Sequence, residues 1–277
     1  MGQGTLVVKC GGSAMNALPD GFFADLVALR HSGITPVVVH GGGPAISTLL
    51  KRLGIEPAFV NGMRVTDEAT LEVVEMVLAG AINKQLVRRI WRAGGRALGL
   101  SGSDGALLEA QPMTGPLGRV ATVKRVNVAL LHQVAAMGYI PVIAPVGMDE
   151  TGQAYNINAD TAAGAVARAL AAVRVVLVTD VPGIWVEEGG VRRVLDVVDS
   201  AAAEALIARG VITGGMIPKV RAALDALAAA TEVLIVDGRE PNVLKRAAAG
   251  EPVGTRLVRH TATTSAGKGG DEGRDAV

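Results

Sequence analysis

Two rhythms of apolar and polar positions alternate along this chain. Short β-branched runs recur at residues 5–9 (TLVVK), 36–40 (PVVVH), 97–100, 140–144, 173–179 and 232–236, and such side chains pack well on a pleated surface. Between them lie segments with apolar residues three and four apart. Residues 20–32 place Phe23, Leu26 and Val27 at helical spacing, and residues 68–78 do so with Leu71, Val74 and Leu78. Further helices are predicted from the glycines at 41–43 to about residue 53, over 82–93, near 128–137, over an Ala-rich 161–171, and over 200–209 and 218–230. Thr66 or Asp67 is placed to cap the 68–78 helix. Residues 106–126 and 184–194 read as short antiparallel strands, with turns at Gly115-Pro116 and Gly189-Gly190. Strands alternating with helices predict an α/β fold, an open and mostly parallel sheet sandwiched by helices, with inserted β-hairpins. Ligands of such sheets sit beyond the C-terminal ends of the strands. The glycine loops at 11–13, 41–43 and 101–105 all follow strands, so they should gather along one edge. A soft boundary near 171–174 divides a single domain, 1–260, into an N-terminal lobe (1–172) and a C-terminal lobe (173–260). Residues 261–277 are small, polar and Gly-rich, and read as a disordered tail.

Composition narrows the function classes. The 277 residues carry a formal net charge of +1 and only 3% aromatics, which argues against a nucleic-acid surface and against base-stacking platforms. Cys10 is the only cysteine, so no disulfide framework exists and a reducing compartment is natural. The chain opens MGQGTLVVKC without a signal-like segment, and no apolar run reaches the length of a membrane span. A soluble cytoplasmic protein is expected, with no nucleic acid or membrane partner.

The candidate chemistry begins at PVVVHGGGP, residues 36–44. A buried strand runs into three glycines and then a helix entered through Pro44. Bare backbone at a helix N-terminus suits an anionic group, although a tight turn without a ligand has the same sequence. The loop lacks the G-x-x-x-x-G-K-[ST] of a P-loop. It also fails the G-x-G-x-x-G fingerprint, because Ile46 takes the third place. Lys9 ends the first strand directly before Gly11 and Gly12, where it either snorkels off the sheet edge or meets a phosphate. Lys219 lies in the first turn of a helix after a glycine turn, where a cation opposes the helix dipole unless an anion binds there. A solvated surface lysine is the alternative. Asn156, Asn158 and Asp160 fall on one side of residues 155–160 if these are extended, and Asp160 could equally cap the next helix. Cys10 and the four histidines lack the partners of a catalytic dyad or a metal cluster. Two lysines, several glycine-rich anion sites, one aspartate and no nucleophile are what phosphoryl transfer chiefly requires, because its catalysis is positioning plus positive charge.

Eight motifs then occur in order: VVKCGG (7–12), VVHGGGP (38–44), NGMRVTD (61–67), INK (82–84), GLSGSDG (99–105), YNINAD (155–160), VTDVPGI (178–184) and GGMIPK (214–219). Together they resemble the amino acid kinase family, and within it the branch acting on N-acetyl-L-glutamate, over residues 5 to about 258. The resemblance implies the fold of that family. It also implies ATP- and Mg2+-dependent phosphorylation of the side-chain carboxylate of N-acetyl-L-glutamate, an acyl-phosphate-forming step of arginine biosynthesis. By the same resemblance, Lys9 and Lys219 would flank the transferring phosphoryl group as catalytic residues and Asp160 would hold both lysines. Gly42 and Gly43 would cradle the reacting carboxylate. Arg64 and Asn156 would hold the substrate α-carboxylate, with Asn158 close by. Gly11 and Gly12 would approach the ATP phosphates. Asp180, Val181, Pro182, Gly183, Ile184 and Trp185, with Val211, Ile212 and Thr213, would line the nucleoside pocket. No protein-held metal is implied.

Arginine-inhibited hexamers of this family carry an extra helix before the first strand, for which this sequence leaves no room, so the resemblance favours a homodimer without strong arginine feedback. Two other readings remain open. One is the related kinase of lysine biosynthesis, whose aminoadipyl or glutamyl substrate is attached to an acidic carrier protein. The other is a non-catalytic amino-acid-sensing domain on this fold. The intact glycines, the NINAD pattern and the presence of Lys9, Asp160 and Lys219 favour the enzyme acting on the free acetylated amino acid.

Overall fold

The β-branched runs form the parallel core of an eight-stranded sheet. The computed structural model describes residues 4–12, 14–188, 190–213, 216–227 and 232–260. Across the sheet the order is Val197–Asp199, Thr255–Val258, Glu232–Asp237, Arg174–Thr179, Thr5–Cys10, Thr35–His40, Ile140–Ala144 and Ala97–Ser101. Thr255–Val258 runs antiparallel to Glu232–Asp237, and every other neighbouring pair in this sheet is parallel. The pattern of residues therefore predicts six of the eight strands. The two short ones at the far edge, Val197–Asp199 and Thr255–Val258, are not evident from it. The expected lobe boundary falls between Thr5–Cys10 and Arg174–Thr179, which pair directly, so the sheet runs through it without a break.

Strand alternation sorts side chains onto the two faces. Leu6, Val8, Cys10, Val38, Val176 and Val178 join one buried cluster, while Val7, Val37, Val39, Val175 and Leu177 join the other. The second face is covered by the Ala159–Ala169 and Met216–Leu227 helices, whose alanines let them approach the sheet closely. This parity puts Lys9 on the face of Val7, toward Ala159–Ala169, and His40 on the opposite face, with Val38.

Three local features depart from expectation. The two helices predicted over 68–78 and 82–93 are one continuous rod: Glu68–Glu75, a π-helical segment Met76–Ile82, and Asn83–Arg92. Residues 155–160 are not extended throughout. The strand Ala154–Ile157 stops, and Asn158 caps the helix that begins at Ala159, accepting hydrogen bonds from the backbone N–H of Asp160 (2.8 Å) and Thr161 (3.2 Å). Asn156, Asn158 and Asp160 therefore do not share a strand face. The polar stretch after Val60 is a small hairpin, Phe59–Val60 with Met63–Arg64, so Arg64 lies on a strand. Asp67 caps the Glu68–Glu75 helix as one of the two expected candidates, through Thr70 N–H at 2.8 Å.

Beside the main sheet, Leu108–Pro112, Val120–Val126, Val146–Met148 and Ala154–Ile157 close into a four-stranded ring. The Gly-rich 101–105 loop serves this ring. A Cβ on Gly102 would lie 2.6 Å from the Val146 carbonyl oxygen, so that glycine is required by close backbone packing. The 184–194 hairpin forms as expected from Trp185–Glu188 and Val191–Val194, while position 189 and the tail 261–277 lie outside the described residues. No helix among the described residues is long and apolar enough to cross a membrane.

Candidate active site

A cleft of about 400 Å³ opens over the C-terminal ends of the Thr5–Cys10, Thr35–His40 and Arg174–Thr179 strands. Of the three glycine loops expected at this edge, 11–12 and 41–43 line it and 101–105 does not. The two lining loops touch each other. A Cβ on Gly12 would come within 3.0 Å of the backbone nitrogens of Gly42 and Gly43, and one on Gly42 within 2.6 Å of the tips of Leu78 and Ile82. Gly43 is different. Its Cβ would meet nothing within 4 Å, so protein packing does not demand glycine there. What glycine leaves at this position is bare backbone at the start of the Gly43–Arg52 helix, on the cleft wall.

The expected lysines enter from different sides. Lys9 Nζ lies 2.8 Å from Asp160 Oδ1, and both side chains are largely shielded, with 16% and 21% exposure. Asp160 stands in the first turn of Ala159–Ala169, where a carboxylate also complements the helix dipole. Lys219 lines the same cleft, but its Nζ lies 2.5 Å from Asp180 Oδ1. The expectation that Asp160 holds both lysines is therefore corrected: Asp160 holds Lys9 and Asp180 holds Lys219. The reason is topological. Lys219 sits in the first turn of Met216–Leu227, beside the end of Arg174–Thr179, and the carboxylate following that strand reaches it first. The Lys219 ammonium, hydrogen-bonded to Asp180, holds that carboxyl below its usual range against the opposing effect of burial. Next to it Arg239 grips Asp237 with Nε and Nη2 and donates from Nη2 to the Asp180 carbonyl at 3.0 Å.

Arg64 is 7% exposed, stacks 4.7 Å above the Phe59 ring, and donates through Nη2 to Gly43 O (3.0 Å) and Ser47 Oγ (2.8 Å). Its Nη1 is buried and has no hydrogen-bond partner. Burial pushes the guanidinium pKa down, yet an arginine stays charged in proteins. A buried cation with an idle donor on a cleft wall is costly unless an anion meets it. Asn156 joins the same network: it donates to Thr66 Oγ1 at 3.1 Å, and Thr66 donates to Arg64 O at 2.9 Å. The sequence does not single out Thr66 or Ser47 as site residues. Ser47 is four residues after Gly43 on one helix, a spacing that places both on one face. Thr66 reads from its neighbours only as a cap.

The nine residues expected around a nucleoside do not line this cleft. Ile184 and Ile212 are in the hydrophobic core, 0% and 1% exposed, so their side chains build the floor beneath that region. A Cβ on Gly183 would lie 2.5 Å from Thr255 Oγ1, which donates to the Leu195 carbonyl and accepts from Ile184 N–H. Trp185 is partly covered by the Arg192 guanidinium at 4.3 Å. Asp180, Pro182 and Thr213 are exposed and Val181 and Val211 half-buried. Of these, Asp180 is tied to the cleft through its pair with Lys219. No group of three or more His, Cys, Asp or Glu that could hold a metal occurs among the described residues.

The amino acid kinase family model matches residues 4–237. Acetylglutamate kinase of Brevibacillus brevis is 47% identical over 257 residues, spanning 92% of this chain and 97% of that protein. Acetylglutamate kinase of Geobacillus stearothermophilus is 52% identical over 239 residues, 85% of this chain and 90% of that protein. Among solved structures, a Streptococcus mutans protein superposes with a TM-score of 0.79 at 30% identity, covering 92% of this chain and 99% of that one. N-acetylglutamate synthase of Neisseria gonorrhoeae superposes at 0.80 with 22% identity, covering 94% of this chain and 61% of that one, a likeness of fold alone. Glycine loops on parallel strands, two lysines on one cleft and a family match over most of the length converge on one assignment: the chain belongs to the amino acid kinase family.

Proposed function

We propose that this chain transfers the γ-phosphoryl group of ATP to the side-chain carboxylate of N-acetyl-L-glutamate, giving N-acetyl-L-glutamyl 5-phosphate and ADP for arginine biosynthesis. The observation that carries the reading is Arg64: a buried guanidinium with an idle Nη1, tied through Gly43 to the bare loop on the same cleft. That arrangement suits a substrate with two carboxylates. Arg64, with Asn156, takes the α-carboxylate, and the N–H groups of Gly42 and Gly43 take the reacting one. Asn158 contributes by capping the helix that carries Asp160. The relatives named acetylglutamate kinase support the choice of substrate.

The side-chain carboxylate has an ordinary pKa near 4.3 and is ionised at neutral pH, so it attacks without a general base. Its oxygen forms a bond to the γ-phosphorus while the bond to the β,γ-bridging oxygen breaks, and ADP carries away that electron pair. Repulsion between two anions is the obstacle, and Lys9 and Lys219 offset it from opposite sides. Asp160 fixes Lys9 for this task, while Lys219 exchanges Asp180 for phosphoryl oxygens. Gly11 and Gly12 let the ATP phosphates approach the backbone. Asp180, Val181, Pro182, Gly183 and Trp185, with Val211 and Thr213, border the nucleoside on the 173–260 half of the sheet, and the acceptor lies over the 1–172 half. Mg2+ normally keeps several waters and binds through phosphates rather than in an all-protein cage, which fits a cleft whose nearby carboxylates are paired with lysines. Bound with ATP, it supplies charge neutralisation on the phosphates. A homodimer is our reading of the assembly, and sedimentation checks it.

The test traps acyl phosphate with hydroxylamine in the presence of MgATP, comparing N-acetyl-L-glutamate, L-glutamate and N-acetyl-aminoadipate. Hydroxamate from N-acetyl-L-glutamate alone is expected. Equal yield from free glutamate contradicts the substrate assigned, and no product from any acceptor favours a carrier-linked substrate or a sensing role.

A further inference from the structure

Beneath the Gly41–Gly43 loop lies a buried polar cluster that takes no direct part in the chemistry above. His40 ends the Thr35–His40 strand and is 0% exposed, as is Asn83, the first residue after the π-helical segment. His40 Nδ1 lies 3.0 Å from the carbonyl oxygen of Gly41, and its Nε2 lies 3.3 Å from Asn83 Nδ2. The same Nδ2 is 2.9 Å from Val142 O and 3.2 Å from Leu100 O, while Asn83 Oδ1 accepts from Lys84 Nζ at 3.1 Å. Turning the amide over would set its oxygen against two carbonyl oxygens, so its orientation is determined. A carbonyl oxygen only accepts and an amide NH2 only donates. The Gly41 carbonyl therefore calls for the proton on His40 Nδ1, and Asn83 Nδ2, whose two protons are shared among Val142 O, Leu100 O and the ring, offers no acceptor to a proton on Nε2. Burial pushes its pKa down to about 4, helped by the nearby Lys84 charge, which keeps the ring neutral. Asn83 thus links three neighbouring strands, Thr35–His40, Ile140–Ala144 and Ala97–Ser101. The fit is close: a Cβ on Gly99 would lie 1.9 Å from Asn83 Oδ1.

One continuous helix applies both constraints on the loop. Leu78 and Ile82, within the π-helical segment, press against the place of a Gly42 Cβ, and the next residue, Asn83, orients His40. A π turn adds a residue to the helix and re-aims the side chains beyond it, a deviation that concentrates at functional sites.

We propose that His40 and Asn83 are positioning residues for phosphoryl transfer: the His40 Nδ1–H fixes the Gly41 carbonyl, and with it the direction of the Gly42 and Gly43 N–H groups, while Asn83 holds the ring in that tautomer. The inference rests on the acceptor binding at this loop, as assigned above.

The tautomer is testable in the unmodified protein. In 15N-histidine NMR spectra at pH 7, His40 is expected as the Nδ1–H form with an unprotonated Nε2. The other three histidines, His31, His132 and His260, are exposed, and His260 Nδ1 lies 3.4 Å from Asp199 Oδ1, so their signals are distinguished by environment from that of the buried ring. Two variants then separate the two ring contacts. His40→Asn places an amide NH2 where Nδ1 stood and keeps the bond to Gly41; His40→Gln reaches Asn83 but loses Gly41. His40→Asn is expected to retain more than a third of kcat. His40→Gln should fall to a tenth or less, with the KM for ATP within twofold of wild type and comparable melting temperatures. An Nε2–H tautomer, equal kcat in the two variants, or a loss of turnover that only tracks the folded fraction overturns the proposal. If the tautomer is as expected but wild type phosphorylates none of the acceptors tested, the assigned substrate fails and the ring pairing stands.

Discussion

The two lysines of the cleft are held in unequal ways. Lys9 ends a strand at the centre of the sheet and meets Asp160, whose helix is capped by Asn158, and the pair is 16% and 21% exposed. Lys219 stands at a helix start and meets Asp180 on the rim, with 27% and 45% exposure. The first pair is shielded from water and its carboxylate is fixed by a capped helix, so it resembles a preset electrode. The second is a more solvated pair whose partner competes with any phosphate for the same ammonium. Exposed ion pairs contribute only about 0–1 kcal/mol, so exchanging Asp180 for a phosphoryl oxygen costs little. On the function proposed above, the Lys9–Asp160 pair would be preset, and Lys219 would change partner when the nucleotide binds.

The largest expected effect is on turnover. Lys219→Ala and Lys9→Ala should each lower kcat by roughly 100- to 1000-fold, the scale seen when a transition-state donor is removed, with smaller changes in KM. Steady-state kinetics check this, and near-normal turnover in either variant removes that lysine from the chemistry. The comparison itself sharpens with the two carboxylates. Asp160→Asn should lower kcat by about tenfold or more, because it releases a shielded lysine. Asp180→Asn should change kcat by less than about fivefold and barely move Tm; equal losses would erase the distinction between the two pairs.

Arg64→Ala should act mainly on acceptor binding, raising its KM by about 10- to 100-fold, since hydrogen bonds to charged groups contribute about 1.5–3 kcal/mol. Arg64→Lys should not restore it, because an ammonium cannot reach Gly43, Ser47 and a carboxylate together. A smaller effect concerns stability. His40 titrates at about 4 in the fold against an ordinary 6.5, so between those values the unfolded chain binds the proton more readily. Stability is therefore complete above about pH 6.5 and declines as pH falls toward 4, by up to about 3 kcal/mol from this group. Urea unfolding at pH 7 and pH 5 measures the slope, and His40→Asn should flatten it.

The same contrast separates what the sequence discloses from what it conceals. Lys9, Gly12, Gly42, Gly43 and Arg64 stand beside strands and turns whose residue types announce them, and all line the cleft. Lys219 is visible as a cation misplaced at a helix start, but its partner is not, because Asp180 is 39 residues away. Asp160 reads as a cap for the next helix, and only the backbone shows that Asn158 takes that place instead. Val197–Asp199 and Thr255–Val258 stay hidden because three or four residues carry too little pattern, and their pairing is remote in sequence. The role of Asn83 lies in carbonyls of two other strands, which no local reading supplies.

The most direct measurement of the central claim tracks the oxygen. N-acetyl-L-glutamate labelled with 18O in its side-chain carboxylate is phosphorylated with MgATP, the acyl phosphate is cleaved at its carbonyl carbon by hydroxylamine, and the released phosphate is weighed by mass spectrometry. Attack by the carboxylate on the γ-phosphorus leaves its oxygen as the bridge, so one 18O per phosphate is predicted. Phosphate without the label would mean that another group or water accepts the phosphoryl, and the assignment of this cleft to carboxylate phosphorylation would be wrong.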